Sequence, residues 1–161
     1  VVKMYVVQVV GYKNSGKTTF ISRWIEYLMS KDYQVATIKH HGHGGEPDQI
    51  QETDSYQHFE SGAKLTTVIG ENQLLITADK NKLPLKTLLL LYQSLDIDIV
   101  IMEGYKQIPL PKIVMLKNAK DPLLEEVENV KYVYRENAEQ LFNEVETSWD
   151  DFEFEKIKTF L

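Results

Sequence analysis

Apolar residues fall along this chain in two textures, short unbroken runs and longer stretches with a helical period. Residues 4–10, MYVVQVV, are apolar with almost no alternation, the pattern of a strand covered on both faces as in a parallel sheet. Residues 17–31, KTTFISRWIEYLMSK, switch period. Phe20, Ile21, Trp24, Ile25 and Leu28 recur at spacings of one, three and four and share one helical face. QVATIKH reads as a second strand, which completes a βαβ unit with a right-handed crossover expected.

Residues 41–53, HGHGGEPDQIQET, form a polar, glycine-containing loop whose length favours a functional role. DSYQHFESGA predicts a short helix capped by Asp54 or Ser55 and ending near Gly62. KLTTVIG and QLLITAD flank EN as a hairpin with Gly70 near its turn. Residues 84–95, PLKTLLLLYQSL, open on Pro and predict a helix, with Leu88, Leu89 and Leu91 joining Trp24 in the core. Buried strands are expected at Asp98–Glu103 and Lys112–Lys117, and a last one at VKYVY. NAEQLFNEVETSW reads as a helix with Leu141, Phe142 and Val145 on one face, whereas DDFEFEKIKTFL is amphipathic without a clear period. With no repeat, low-complexity tract or linker in view, residues 1–161 read as one domain. Alternating strands and helices imply a three-layer α/β fold with a mainly parallel sheet and an added antiparallel hairpin.

Composition narrows the function classes. Hydrophobic residues at 43% and charged residues at 26% are ordinary for a globular domain and argue against disorder. A net charge of -6 gives no bulk attraction to nucleic acid, and no dense basic stretch offsets it. Cysteine is absent, which excludes disulfide frameworks and cysteine metal sites. The longest later apolar stretch, TLLLLY, is far short of the ~20 residues a spanning helix needs, and no cleavable leader pattern is present. A cytoplasmic protein is expected, with neither membrane nor nucleic acid as a partner.

The chemistry is concentrated in GYKNSGKTTF, residues 11–20. Gly11, Gly16, Lys17 and Thr18 match G-x-x-x-x-G-K-[ST], with a strand before and an amphipathic helix after, as a phosphate loop requires. Chance alone would produce the pattern in a chain this long about half a percent of the time. Glycines permit the backbone angles that turn N–H groups inward as an anion nest, and the helix N-terminus adds roughly half a positive charge. Lys17 is placed to reach the β and γ phosphates, and Thr18 to offer its hydroxyl to Mg²⁺.

A phosphate loop works with an acidic partner. Ligands of open α/β sheets gather at the carboxyl ends of strands, which favours Glu103 and sends Asp98 to the opposite edge. Lys39, His40, His41 and His43 follow the second strand at the same edge. Their spacing matches no defined metal motif, so contact with phosphate is favoured over a transition-metal site, and acid–base work stays open. Asp54 reads either as a second Mg²⁺ ligand or as a helix cap. In KNAKD, residues 117–121, Asp121 is a candidate reader of the guanine edge, or part of a surface turn.

Together, GYKNSGKTT, IKHHGHG, TDSYQHFESGA and DIVIMEG running into YKQIPLPKI resemble the molybdopterin-guanine dinucleotide biosynthesis protein B (MobB) family over roughly residues 4 to 118. The resemblance implies a homodimeric GTP-binding protein with weak Mg²⁺-dependent GTPase activity. Such a protein supplies or positions nucleotide for the guanylyltransferase that joins GMP to molybdopterin. By the same resemblance Gly11, Asn14, Ser15, Gly16, Lys17, Thr18 and Thr19 form the phosphate loop, Glu103 and Gly104 the acidic strand end, and His41 and Asp54 a switch-like region. Thr53 and YQHFE stand where the family commonly carries basic residues. Arg23 lies on the first helix and Arg135 far along the chain, so neither is an evident arginine finger, and slow turnover with Lys17 and Glu103 as the catalytic groups is expected. The alternative is a small-molecule kinase on the same fold, for which no acceptor site or arginine-bearing lid is visible. The apolar hairpin edge is the expected place for a second copy to pair.

Overall fold

The computed structural model describes residues 3–42 and 44–161. The chain runs through β1 (Tyr5–Gly11), α1 (Lys17–Met29), β2 (Val35–Lys39) and α2 (Asp54–Glu60). It continues through β3 (Leu65–Ile69), β4 (Leu74–Ala78), α3 (Leu85–Ser94), β5 (Ile99–Glu103) and β6 (Lys112–Met115). The remainder is α4 (Leu123–Glu126), β7 (Val130–Tyr134), α5 (Ala138–Glu146) and α6 (Phe154–Ile157), with short 3-10 turns at Trp149–Phe152 and Lys158–Phe160.

Five strands form a wholly parallel sheet in the order β2-β5-β1-β6-β7. β5 therefore lies between the two strands of the first βαβ unit, a position set by pairing that the local pattern did not reveal. The unbroken apolar run of β1 is explained by its place at the centre. Val7 and Val9 face Phe20, Trp24 and Leu28 of α1 and Phe142 and Val145 of α5. On the opposite side, Val6 packs with Leu89 of α3, Phe154 and Ile157, and Val10 with Val114, Leu123 and Val127. Three layers result, as expected.

Helix α3 corrects one expectation. Leu85, Leu88, Leu89 and Tyr92 lie at i, i+3, i+4 and i+7 and turn toward the sheet. Leu90 and Leu91 fall outside that stripe and are 45% and 40% exposed. The amphipathic tail is the other addition. Phe152 and Phe154 are fully buried, the Phe154 amide donates to the Met4 carbonyl at 2.8 Å, and Trp149 stacks on Tyr5 with centroids 5.2 Å apart. Trp24 stacks between this segment and α5, 6.5 Å from Trp149 and 5.8 Å from Phe142.

The hairpin β3–β4 stands apart as a two-stranded antiparallel sheet with Ile69 opposite Leu74, closed by a Gly70 N–H to Gln73 carbonyl bond of 2.8 Å. Its apolar side chains are unusually open, with Ile69 79% and Leu75 65% exposed.

Among the described residues two polar side chains lie in the core, Gln8 and Lys112, and they are register partners on β1 and β6. The Lys112 ammonium donates to the Ile108 carbonyl at 2.9 Å and to that of Glu128 at 2.5 Å. Burial pushes its pKa down to about 8 from the ordinary 10.5, against a smaller opposing pull from Glu128. Between those values the unfolded chain holds a proton that the folded chain has released. Lys112 is therefore expected to make stability rise with pH from about 8 to 10.5. Urea unfolding of the natural chain and of Lys112→Met across that window checks it. The difference between them should move in favour of the natural chain as pH rises, and a flat or falling difference would refute the desolvated ammonium.

Candidate functional site

The carboxyl ends of β1, β2, β5 and β6 converge on one edge of the sheet. At that edge β1 leaves through Tyr12–Ser15 and enters α1 at Lys17. Asn14 and Gly16 have φ of 63° and 87°, so two left-handed residues bend the loop back on itself. Gly11 is required for space instead. A Cβ there would lie 2.3 Å from Ser15 Oγ and 2.9 Å from the Met115 carbonyl oxygen of the neighbouring strand. Gly16 is the N-cap of α1 and offers no side-chain acceptor. The amides of Lys17, Thr18 and Thr19 thus open the helix without a capping side chain, the arrangement that receives an anion.

Lys17 curls over this loop. Its ammonium donates to the carbonyls of Gly11 at 2.7 Å and Tyr12 at 2.9 Å. Burial lowers its pKa, the Glu103 carboxylate pushes it back up, and the charges of Lys106, Lys39 and Lys117 lower it further. The phosphate loop and Glu103 are therefore brought together, and Thr18 is exposed at the helix start. Asp98 lies at the opposite edge as expected, its carboxylate accepting from the Gln34 amide at 2.7 Å.

Glu103 is held by its surroundings. It pairs in register with Val9 and Lys39, its carbonyl accepts from the His40 amide at 2.9 Å, and its carboxylate lies 3.9 Å from the Lys39 ammonium. Immediately after it, Gly104 and Tyr105 have φ of 92° and 58°. The left-handed conformation costs a non-glycine residue such as Tyr105 on the order of 1 kcal/mol. The Gln8 amide offsets this by donating to the carbonyls of Gly104 at 2.8 Å and Tyr105 at 2.5 Å. Tyr105 in turn packs against the His40 ring, with centroids 4.5 Å apart and the planes tilted by 34°. Sequence reasoning missed Gln8, Tyr105 and Lys106. The one visible trace was a glutamine inside an otherwise apolar strand.

The remaining candidates are divided between two places. His41 and Asp54 border an open cleft of about 1540 Å³ between the loop after β2, α2 and the hairpin. Lys39, His40 and Tyr105 form its wall toward the phosphate loop, while residues 11–19 do not line it. Asp54 is the first residue of α2, and the cap is Thr53, whose hydroxyl accepts from the Tyr56 amide at 3.4 Å. His43 lies outside the described residues. Among the described residues no group of three or more His, Asp or Glu side chains is arranged to hold a metal ion. Thr18 and Glu103 are oxygen donors at the edge of the phosphate loop that could hold a hard divalent cation.

Asp121 closes a turn after β6. One carboxylate oxygen accepts from the Lys117 amide at 2.9 Å and the other from that of Leu123 at 3.0 Å. Tyr12 reaches the same region, where its hydroxyl donates to the Glu126 carboxylate, and that bond pushes its pKa up to about 12. Among the described residues no helix is long and apolar enough to cross a membrane.

A family model described as molybdopterin guanine dinucleotide synthesis protein B matches residues 6–134. The chain belongs to the MobB family. A Bacillus subtilis relative, named a probable molybdopterin-guanine dinucleotide biosynthesis adapter protein, is 42% identical over 81% of this chain and 76% of its own length. A Methanocaldococcus jannaschii relative carrying the putative form of that name is 38% identical over 71% of this chain and 48% of its own. The solved structure of Bacillus subtilis MobB superposes with a TM-score of 0.72 at 32% identity, covering 91% of this chain and 98% of the other. The α/β architecture read from the sequence, a mainly parallel sheet with an antiparallel hairpin, is that of a P-loop NTPase.

Gly11→Ala is expected to cost about 1–3 kcal/mol by forcing Ser15 and the β6 backbone aside. Gly42→Ala, where a Cβ meets nothing within 4 Å, should stay within about 0.5 kcal/mol. Urea unfolding of both variants reads the contrast, and equal losses would mean that the close approach is not what requires Gly11.

Proposed function

We propose that this chain is a GTP-binding accessory protein of molybdopterin-guanine dinucleotide biosynthesis. It is read as hydrolysing GTP slowly with Mg²⁺ and as positioning nucleotide for the guanylyltransferase that acts on molybdopterin. The observation that carries the reading is the preformed loop at Gly11–Thr19. Two left-handed residues, a glycine with no room for a Cβ, an uncapped helix start and one ammonium are gathered at one point. The names of the relatives support the pathway.

In this reading the loop amides and the helix start bind the phosphates, and Lys17 leaves the Gly11 and Tyr12 carbonyls to clamp the β and γ phosphates. Glu103 and Thr18 would hold Mg²⁺, which would supply charge neutralisation at the phosphates. Glu103 also orients water for attack. Asp54 and His41 act as the switch-like wall across the cleft. Asp121 reads the base with the lone pairs its turn leaves free, since each carboxylate oxygen can accept twice. A cytoplasmic location and a homodimer joined through the hairpin complete the proposal. The open faces and edges of β3–β4 give that contact a physical motive.

Lys17→Ala should weaken GTP binding by about a hundredfold or more, because it removes a charge-assisted clamp on two phosphates. Calorimetry with GTP, GDP and ATP in Mg²⁺ checks this, and unaltered GTP affinity in the variant would overturn the phosphate-loop reading. Phosphate release with and without the transferase separates a GTPase from an adapter.

Charging the hairpin with Ile69→Glu and Leu74→Glu, which face each other in register, should convert a dimer to a monomer. Sedimentation velocity reads the mass. A natural chain that is monomeric, or a dimer that survives both changes, would remove the hairpin contact from the proposal.

A further inference from the structure

The loop from Gly104 to Pro111 is fastened more firmly than an exposed connection requires. Gln8 holds the carbonyls of Gly104 and Tyr105, and Lys112 holds that of Ile108. These two fastenings are the fully buried polar residues of β1 and β6. The Gly104 amide adds a 3.0 Å bond to the Val9 carbonyl. Backbone strain at Tyr105 is thus maintained by the core itself, and strain held this way marks a segment whose position matters.

What the loop positions is Lys106. Its ammonium lies 3.9 Å from the centre of the Tyr12 ring, while the carbonyl of the same Tyr12 accepts from the Lys17 ammonium at 2.9 Å. Two cations are therefore gathered on one residue of the phosphate loop, and the Lys106 charge helps to lower the pKa of Lys17, after burial. Lys39 and Lys117 add to the same field, and Glu103 is the carboxylate that opposes it at Lys17. These ammonium groups repel one another, Glu103 offsets part of that repulsion at Lys17, and a phosphate entering between them would offset more.

We propose that Lys106 is a second phosphate-contacting cation, carried by the clamped Gly104–Pro111 loop, that recognises the terminal phosphate of a nucleoside triphosphate and supports its transfer to water, the bond to the β-phosphate oxygen breaking as the nucleoside diphosphate leaves. The proposal rests on the nucleotide-binding reading above. It gives the chain a cation in cis where no arginine finger is evident. The Tyr12 ring holds the ammonium near the loop by cation–π attraction, which is weaker than a contact to phosphate and easily exchanged for one.

Calorimetry with Mg²⁺–GTP and Mg²⁺–GDP on the natural chain, Lys106→Ala and Lys106→Arg tests it, together with phosphate release at saturating GTP. Lys106→Ala should weaken GTP by about tenfold or more and leave GDP within about twofold, since only the triphosphate has the group contacted. Its maximal phosphate release should fall by about tenfold or more, and Lys106→Arg should retain most of both. Thermal unfolding verifies that the variants are folded. If the alanine variant keeps the natural ratio of GTP to GDP affinity, Lys106 is a surface lysine on a tyrosine and the inference fails alone. If the natural chain binds neither nucleotide, the inference and the phosphate-loop reading fail together.

Discussion

The site depends on one constraint, the in-register parallel pairing of β1 with β5 on one side and β6 on the other. Val9 lies opposite Glu103, and Gly11 opposite Met115. Those pairings place the acidic strand end and the mouth of the phosphate loop within a strand spacing of each other, about 4.8 Å per step across the sheet. They also bring the Met115 carbonyl so near Gly11 that a side chain has no space. A slip of one residue would turn every apolar side chain of β1 to the wrong layer. The hydrophobic core therefore fixes the chemistry's geometry, because the register that buries Val6, Val7, Val9 and Val10 is the register that assembles the edge.

Polar groups inside that core refine the same edge. Gln8 and Lys112 occupy positions where valine or isoleucine would pack without desolvating an amide or an ammonium. The Gln8 amide N–H group donates to the Gly104 and Tyr105 carbonyls while its Oε1 is buried without a partner among the described residues, and the Lys112 ammonium is shared between the Ile108 carbonyl of the same loop and that of Glu128. The molecule thus spends core positions on the shape of a surface segment, a use of buried polarity in which local conformation is obtained at some expense of stability.

Much of this was legible in the residue order. The phosphate loop, the strand ending in Glu103 and the helix stripe of Phe20, Trp24 and Leu28 each carry a local signature, so short-range reading finds them. Pairing order does not have one. That β5 sits between β1 and β2 follows from long-range association, as does the hairpin's separation from the main sheet. Leu91 was misplaced because four consecutive leucines outnumber the face a helix can bury. Gln8 escaped notice because a lone polar residue in an apolar run shows nothing of its partners. Tyr105 was missed because positive φ at a tyrosine has no propensity signal. For Asp54, the sequence alternatives of cap and ligand are narrowed by Thr53 taking the cap.

The docking of Trp149–Ile157 against Met4 and Tyr5 bears on biosynthesis. The ribosome makes the phosphate-loop strand well before the residues that cover its flank. Until Trp149, Phe152 and Phe154 emerge, Met4, Tyr5 and Trp24 lack their aromatic lid, so the nascent chain must keep that surface shielded while the intervening segments are made. Closure of this face consequently waits on a segment distant in sequence, which makes it sensitive to holdase chaperones and to translation products that stop short of that segment.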